Sequence, residues 1–494
     1  MSSIPLAQKP AAMIDRHSLF FVHGLLLLAL GAGMLFPAGA DWLAGEPDAQ
    51  VFLVSAAISI TVGGLLVAAG HRQRLTLSRK AGFLLTTSAY ISVSLFGALP
   101  FFLSNQNIPY VDALFETISG LTTTGATVLS GLDTMPPGLM LWRAILNWLG
   151  GLGVVAIALI LMPFLEVGGM QLLRGPSGGD SADSLHGARR TGVAVVTVYV
   201  FLSTLCFVAY WIAGMSRFDA VVHAMSTMST GGFSSHDASF AYFNAPLIQW
   251  VAIVFMFLAA CPYAMFLRMA QGSLLAPLRD SQVRTLFMIG VGVSAALVIA
   301  FIRSHAFEGD KSVREIVFNV TSILTTTGFS SADFNLWGPF AGTLFMTLMF
   351  VGGCTGSASG GIKIMRYEIM IRVMALQVRR LLDPRAVVRL RYHRRQVSAT
   401  VVLSITVLAF LYLASTLVIA GFLALIGVDP LSSFAGAAAA VGNVGPALGP
   451  VIGPSGDYGS LPDAAKLMLA AGMVMGRLEF FSVLVLFSTS FWRS

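Results

Sequence analysis

The chain has 494 residues, of which 56% are hydrophobic and only 11% are charged, and its mean hydropathy is +0.80. Soluble domains usually carry about 25% charged residues, so this composition excludes a water-soluble fold and indicates a chain surrounded by a lipid bilayer. A net charge of +7 would suit a nucleic-acid binder. The basic residues are confined to a few short connections, however, so we expect no nucleic-acid partner.

Ten apolar runs are long enough to cross a bilayer, which takes about 20 residues. The connections between them alternate between basic and acidic, and the positive-inside rule then places both termini in the cytoplasm. The first run precedes a small-residue stretch at 38–40, but it is too long for a signal peptide and is expected to remain as a helix. The runs lie near 18–36, 51–70, 83–103, 139–163, 191–214, 246–267, 285–303, 339–374, 398–426 and 464–491.

Four shorter apolar pieces, too short to span, each end in a cluster of Thr, Ser and Gly. The clusters are LTTTGAT (121–127), MSTGGFSSHD (228–237), LTTTGFSSAD (324–333) and VGNVGPALG (441–449). Such repetition at a near-constant period indicates an architecture built from repeats. We therefore predict an all-α polytopic membrane protein with four tandem repeats, each a span, a short helix, a Gly-containing loop and a second span, preceded by two extra N-terminal spanning helices.

The repeats and their connections give the expected domain organisation. It comprises an N-terminal two-helix extension (1–80), repeat 1 (81–165), repeat 2 (190–268), repeat 3 (283–375) with an intramembrane loop (352–361), a basic cytoplasmic hairpin region (376–397) and repeat 4 (398–494).

An acidic residue precedes each cluster near the start of its short helix. Asp112, Asp219 and Glu315 each stand 13 positions before the aligned glycine, and Asp429 stands 16 positions before it. Two interpretations are open. The acids cap the helices, or they bind ions directly.

Irregular backbone at membrane depth must line a water-filled cavity, because unpaired peptide groups are costly in lipid. Glycine lets carbonyl oxygens turn toward one axis, where they replace the water shell of an ion. The Thr, Ser and Asn residues that flank these glycines carry no fixed charge, which favours a monovalent cation over a divalent one. Helix packing by small residues is the alternative. The expected ion-binding residues are Thr123, Thr124, Gly125, Thr230, Gly231, Gly232, Thr326, Thr327, Gly328, Asn443, Val444 and Gly445.

The segment 352–361, GGCTGSASGG, interrupts the eighth run, and its glycines predict that it unwinds in the membrane. It lacks the GK[ST] ending of a phosphate-binding loop. Arg477 lies within the last run, and Glu479 is too close in sequence to face it on a helix. We expect Arg477 to contact carbonyls of the broken segment. For the segment, the alternative is that its glycines serve only helix packing or a hinge and have no gating role. For Arg477, the alternative is that it pairs elsewhere in the helix bundle.

The four clusters, read as TTTG, STGGFS, TTTGFS and GNVG, resemble those of the Trk/Ktr/HKT superfamily of potassium transporters. The two N-terminal helices make residues 15–494 most similar to its bacterial TrkH/TrkG branch. The resemblance implies a channel-like fold with pseudo-fourfold symmetry, in which each repeat is a span, a pore helix, a filter loop and a second span. It also implies potassium uptake, a homodimer in the bacterial inner membrane, and control by a cytosolic TrkA-like nucleotide-binding subunit. The fourth loop departs from the family's usual GPGLG at Ala447. The implied gate residues are Gly352, Gly353, Gly356, Gly360, Gly361, Lys363 and Arg477.

The predicted function is thus a potassium uptake pore, with potassium as the transported ion and no cofactor in this chain. A sodium-permeable or sodium/proton-coupled transporter is the alternative, since carbonyl filters do not declare their ion. An enzyme is not expected, because Glu116 and His223 are isolated within short helices and suit packing and hydrogen bonding. The Arg-rich stretch 366–395 is predicted to form a cytoplasmic helical hairpin that meets lipid headgroups or an acidic partner.

Overall fold

The computed structural model describes residues 16–71, 79–156, 182–384, 389–392 and 395–493, and these are mostly helical. Within these described ranges, seven helices are long and apolar enough to cross a membrane, or up to nine spans if each of two sharply bent helix pairs is counted as one. The chain is therefore a multi-pass membrane protein. Predictions that fall on 1–15, 72–78, 157–181, 385–388, 393–394 and 494 lie outside the described residues.

The α-helices are, in chain order, α1 (Arg16–Gly33), α2 (Leu35–Ala44), α3 (Ala49–Gly70), α4 (Arg79–Gly97), α5 (Leu99–Leu103), α6 (Tyr110–Leu121), α7 (Pro137–Ala156), α8 (Ala182–Ile212), α9 (Arg217–Met228), α10 (Pro246–Ala259), α11 (Tyr263–Ala270), α12 (Ala276–Arg279), α13 (Ser281–Arg303), α14 (Asp310–Leu324), α15 (Gly338–Leu348), α16 (Ile364–Leu382), α17 (Ala399–Leu425), α18 (Pro430–Gly442), α19 (Asp463–Arg477), α20 (Phe481–Leu484) and α21 (Thr489–Arg493). Short 3₁₀ helices lie at Leu132–Thr134, Ser239–Tyr242, Phe334–Trp337 and Val485–Phe487.

The helices α1 and α3 pack closely through glycines. A Cβ atom at Gly24 would lie 2.6 Å from the carbonyl oxygen of Gly63, and one at Gly63 would lie 2.9 Å from that of Gly24. Small residues allow this backbone approach between apolar helices, where no hydrophobic effect drives association. The pair joins the rest of the molecule where Phe52 meets Trp142 of α7 edge to face.

Three of the ten predicted spans are not continuous helices, and one of them is the eighth run, whose glycines predict that it unwinds. The run at 246–267 bends by 94° between α10 and α11, where Pro262 interrupts the helix. The run at 339–374 is α15, a non-helical segment and α16. The run at 464–491 bends by 107° after Arg477, because Glu479 and Phe480 have positive φ angles. Such angles end a right-handed helix.

Capping of the short helices by acids is observed in only one of the four. Asp429 precedes α18 and accepts a hydrogen bond from the N–H of Ser432 at 2.9 Å. Asp112 and Asp219 lie inside the first turns of α6 and α9 without capping them, and Glu315 lies further along α14. The capping prediction is therefore wrong for three acids, because the helices begin at least two residues before them.

The basic region after α16 is not the predicted helical hairpin. Two short antiparallel strands, β1 (Arg391–Tyr392) and β2 (Arg395–Gln396), form a small sheet there. The helix ends at Leu382, two residues before Pro384, and the two strands follow. The fold is therefore not strictly all-α. Tyr392 is buried in a small apolar cluster with residues of α16 and α17, whereas Arg391 and Arg395 are exposed.

Candidate functional site

The loops that follow the four short helices α6, α9, α14 and α18 share one backbone conformation. In the first loop, Thr123 has a φ of 51° and Gly125 a φ of 80°. Left-handed backbone costs a residue with a side chain roughly 1–2 kcal/mol, so its recurrence at the same two positions marks a required shape. The corresponding residues of the other loops are Thr230 and Gly232, Thr326 and Gly328, and Asn443 and Gly445.

The same two backbone hydrogen bonds end each short helix. In the first, Thr123 N–H donates to the Gly120 carbonyl at 2.9 Å, and Thr124 N–H donates to that of Ser119 at 2.8 Å. These bonds satisfy carbonyls at the helix end, and the negative end of each helix dipole therefore lies at its loop. The equivalent donors are Thr230 and Gly231, Thr326 and Thr327, and Asn443 and Val444.

The four glycines form a closed ring. The Cα of each glycine lies so close to the next loop that an added Cβ would come within 3.0 Å of a carbonyl oxygen there. That oxygen always belongs to the residue just before the next glycine, and the fourth loop returns to the first. The pairs are Gly125 with Gly231, Gly232 with Thr327, Gly328 with Val444, and Gly445 with Thr124.

One cavity of about 70 Å³ is lined by all four ring glycines, which places them around a common centre. We call it the mouth cavity. His236 and Asp237 of the second loop also line it, as do Arg143 of α7 and Tyr458, whose hydroxyl donates to the Gly445 carbonyl at 2.8 Å.

His236, which lines the mouth cavity, lies between two carboxylates. His236 Nδ1 lies 2.5 Å from Asp133 Oδ1, and its Nε2 lies 3.2 Å from Asp219 Oδ1. Partial burial opposes a charged ring, but the two carboxylates outweigh it, so the pKa of His236 is raised. The His236 hydrogen bond in turn lowers the pKa of Asp133.

A second cavity, of about 30 Å³, lies against Asn443 of the fourth loop, two residues before its ring glycine. We call it the inner cavity. Two side-chain oxygens at this position of the loops, Thr123 Oγ1 and Asn443 Oδ1, are buried and have no hydrogen-bond partner within the described part of the chain. A buried oxygen without a partner is costly, and a cation would satisfy it.

The broken segment 352–361 lies directly against the third and fourth loops. Gly360 N–H donates to Thr326 Oγ1 at 2.6 Å, and the Ser359 hydroxyl lies 3.0 Å from the same oxygen. Gly361 N–H donates to the Gly442 carbonyl at 2.9 Å. The segment thus covers one side of the ring through contacts with two of its four loops.

Two basic side chains hold this segment. Lys363 Nζ donates to the Ser359 carbonyl, and Arg477 Nη2 donates to that of Ala358 at 2.8 Å. The expected contact of Arg477 with the broken segment is present. Glu479 does not pair with Arg477 but with Arg366, at 2.6 Å.

The expected gate residues fall into two groups. Gly360, Gly361, Lys363 and Arg477 line the inner cavity. The others shape the segment away from that cavity, where the Gly352 N–H donates to the Ile362 carbonyl at 3.0 Å. These others are Gly352, Gly353 and Gly356.

Sequence reasoning missed a buried ion pair beside the mouth cavity. Arg143 Nε lies 2.7 Å from Glu116 Oε1, and the two side chains are 2% and 0% exposed. Glu116 stands alone in the sequence because its partner, Arg143, is 27 residues away. A charged residue within each of two apolar helices, Glu116 in α6 and Arg143 in α7, was the available signal.

The departure at Ala447 leaves the ring intact. Ala447 is fully buried, and its N–H donates to the Ile452 carbonyl at 3.1 Å. The ring residues Thr, Gly, Val and Asn are uncharged, so the site offers neutral oxygens and helix dipoles to a cation.

Comparison with known proteins agrees with this architecture. The family described as TrkH, a cation transport protein, matches residues 48–494. The Trk system potassium uptake protein TrkI of Halomonas elongata is 39% identical over 475 residues, covering 96% of each chain. The Escherichia coli potassium uptake protein TrkH is 34% identical, covering 96% of this chain and 98% of its own. The crystal structure of the potassium transporter TrkH from Vibrio parahaemolyticus is 32% identical, with a TM-score of 0.89 over 97% of this chain and 99% of that one. This chain belongs to the TrkH family of cation transport proteins.

Proposed function

We propose that this chain is a potassium uptake pore of the bacterial inner membrane, in which ions pass a filter made of the four ring loops. The observation that carries the proposal is the closed ring of Gly125, Gly232, Gly328 and Gly445 around one cavity. Its loops present uncharged oxygens, which suit a weakly hydrated monovalent ion. Relatives named as potassium uptake proteins support the choice of potassium.

The architecture proposed for this function is four repeats with pseudo-fourfold symmetry, preceded by two extra spanning helices. The common φ pattern of the four loops and their cyclic contacts support this symmetry. The proposed boundaries of the repeats and of the N-terminal extension are those predicted from the sequence, with both termini in the cytoplasm.

A flux assay tests the ion. The purified chain is reconstituted in liposomes, and uptake of potassium, rubidium, sodium and lithium is measured under equal gradients. We expect potassium and rubidium flux well above lithium flux, because dehydration costs the smallest ion most. Equal flux for all four ions would refute the filter.

A sodium-permeable or sodium/proton-coupled transporter is the second candidate, favoured by the neutral ring, which does not by itself reject sodium. Sodium flux equal to potassium flux, or flux that requires a sodium or proton gradient, would support it. Lithium remains slow under both proposals.

We propose that the segment 352–361 is the gate of this pore. Its hydrogen bonds to Thr326 and to the Gly442 carbonyl support this role, since they hold it against the ring. Shortening the segment should raise flux per reconstituted molecule in the absence of any cytosolic protein. A segment that only packs helices would instead lower the amount of folded protein and leave flux per molecule unchanged or lower.

The working assembly is proposed to be a homodimer regulated by a TrkA-like nucleotide-binding subunit. Relatives are named as members of a Trk system, which suggests several components. The exposed arginines Arg372, Arg379 and Arg380 of α16 would suit an acidic partner surface or lipid headgroups. Mass measurement in detergent tests the dimer, and flux with and without the purified subunit tests the regulation.

A further inference from the structure

The position nine residues before each ring glycine carries a polar side chain in three of the four short helices. Each of these side chains contacts the segment that follows its own glycine. His223 Nε2 lies 3.0 Å from the Ser234 hydroxyl, and Asn319 Nδ2 lies 3.0 Å from that of Ser331. The fourth helix has Gly436 there. The side chain at this position therefore holds in place the residues that follow the glycine in three of the four loops.

In the first short helix the residue at this position is charged. Glu116 accepts hydrogen bonds from the Thr127 hydroxyl at 2.9 Å and from the Val128 N–H at 3.0 Å. It also accepts one from Arg143 Nε at 2.7 Å. A buried carboxylate requires such a charged partner, so Glu116 fixes the position of the Arg143 guanidinium.

Arg143 reaches from α7 to two loops at once. Its Nη2 lies 3.2 Å from the Thr127 hydroxyl of the first loop, and its Nη1 donates to the Ser234 carbonyl of the second at 2.7 Å. The guanidinium also lies over the ring of Phe233, 4.2 Å from its centre. The planar fork of an arginine can make these contacts together, which a lysine ammonium cannot.

We propose that Arg143, held by Glu116, is a positioning residue that fixes the spacing of the first and second filter loops and thereby determines ion selectivity. The inference rests on the proposed filter function. The pair is also neutral as a whole, so Arg143 can line the mouth cavity without repelling a passing cation as an unpaired positive charge would.

The test uses potassium and sodium flux in liposomes for R143K, R143M, E116Q and the double variant E116Q/R143M. We expect R143K to lower the potassium-to-sodium permeability ratio about tenfold, which corresponds to about 1.4 kcal/mol, although its charge is retained. E116Q should lower both the ratio and the total cation flux, because an uncompensated positive charge remains. The double variant should recover flux relative to E116Q but not selectivity.

The matched control is K466M, which breaks the ion pair of Lys466 with Asp112 at 2.5 Å, whose side chains are 5% and 16% exposed. Within the described part of the chain, no hydrogen bond or ion pair joins Lys466 or Asp112 to the first or second loop, so loss of the pair should leave the potassium-to-sodium permeability ratio unchanged. A ratio in R143K and R143M equal to that of the unsubstituted protein, or a change equal to that in K466M, would overturn the inference. Absence of selectivity in the unsubstituted protein would instead refute the filter itself.

Discussion

Replacement of Gly232 by alanine should damage the ring through two separate effects. The φ of Gly232 is 75°, and a side chain there costs roughly 1–2 kcal/mol. The added Cβ would also lie within 3.0 Å of the Thr327 carbonyl oxygen. Because unbonded heavy atoms prefer about 3.5–4.0 Å, one loop must retreat by roughly 1 Å.

In the proposed filter, that retreat removes a carbonyl from its place around the ion. A hydrogen-bond-like contact to a charged group contributes about 1.5–3 kcal/mol, and each 1.4 kcal/mol is about a factor of ten. We therefore expect Gly232→Ala to lower the potassium-to-sodium permeability ratio about tenfold or more. Gly232→Ser and Gly328→Ser should act in the same direction, while the protein still inserts in the membrane.

The assay compares permeability ratios in liposomes containing equal amounts of folded protein. Gly45→Ala is the matched control, because Gly45 has a φ of 77° but open space around its Cα. It carries the conformational cost without the contact to a carbonyl. The reasoning fails if Gly232→Ala retains the selectivity of the unsubstituted protein, or if Gly45→Ala loses as much.

Three further predictions concern the proposed gate and the mouth. Arg477→Ala should raise flux in the absence of a regulator, because the Ala358 carbonyl loses its donor at 2.8 Å; lower flux per molecule would contradict this. Thr326→Val should also raise flux in the absence of a regulator, since it leaves the buried Gly360 N–H without an acceptor at a cost of about 1–3 kcal/mol. Unchanged flux would show that this hydrogen bond does not keep the segment closed. His236 has a pKa raised above its ordinary 6.5, so its stabilising charge is complete below that pH and is lost as pH rises through the raised value. His236→Gln should accordingly lower the Tm in detergent at about pH 5.5 and have little effect at about pH 9, whereas an equal loss at both would show that the ring acts by packing alone.

The sequence was sufficient to locate the loops because their shape is a local property. A helix end, a left-handed residue and a glycine two positions later recur four times, and TTTG and STGG record them. Contacts between distant segments left no comparable pattern. The pairing of Glu116 with Arg143 depends on how α6 and α7 pack, and the bend after Arg477 depends on two residues, Glu479 and Phe480, that ordinarily favour negative φ.

The capping prediction failed for a related reason. The acids recur at a fixed distance from the glycines, but that distance does not determine where a helix begins. Pro109 and Ser216 precede α6 and α9, and the helices start there, before Asp112 and Asp219. Asp112 instead forms an ion pair with Lys466 of α19.

The segment 352–361 hydrogen-bonds to Thr326 of the third loop and to Gly442, just before the fourth. In an assembly of four identical subunits, any moving part would be present in four copies that must act in concert. Here the four loops belong to one chain, so a single hinge could change permeation without cooperation between copies. Each protomer of a larger assembly would then open as an independent, all-or-none unit, and single-molecule records of a dimer would show two equal current levels.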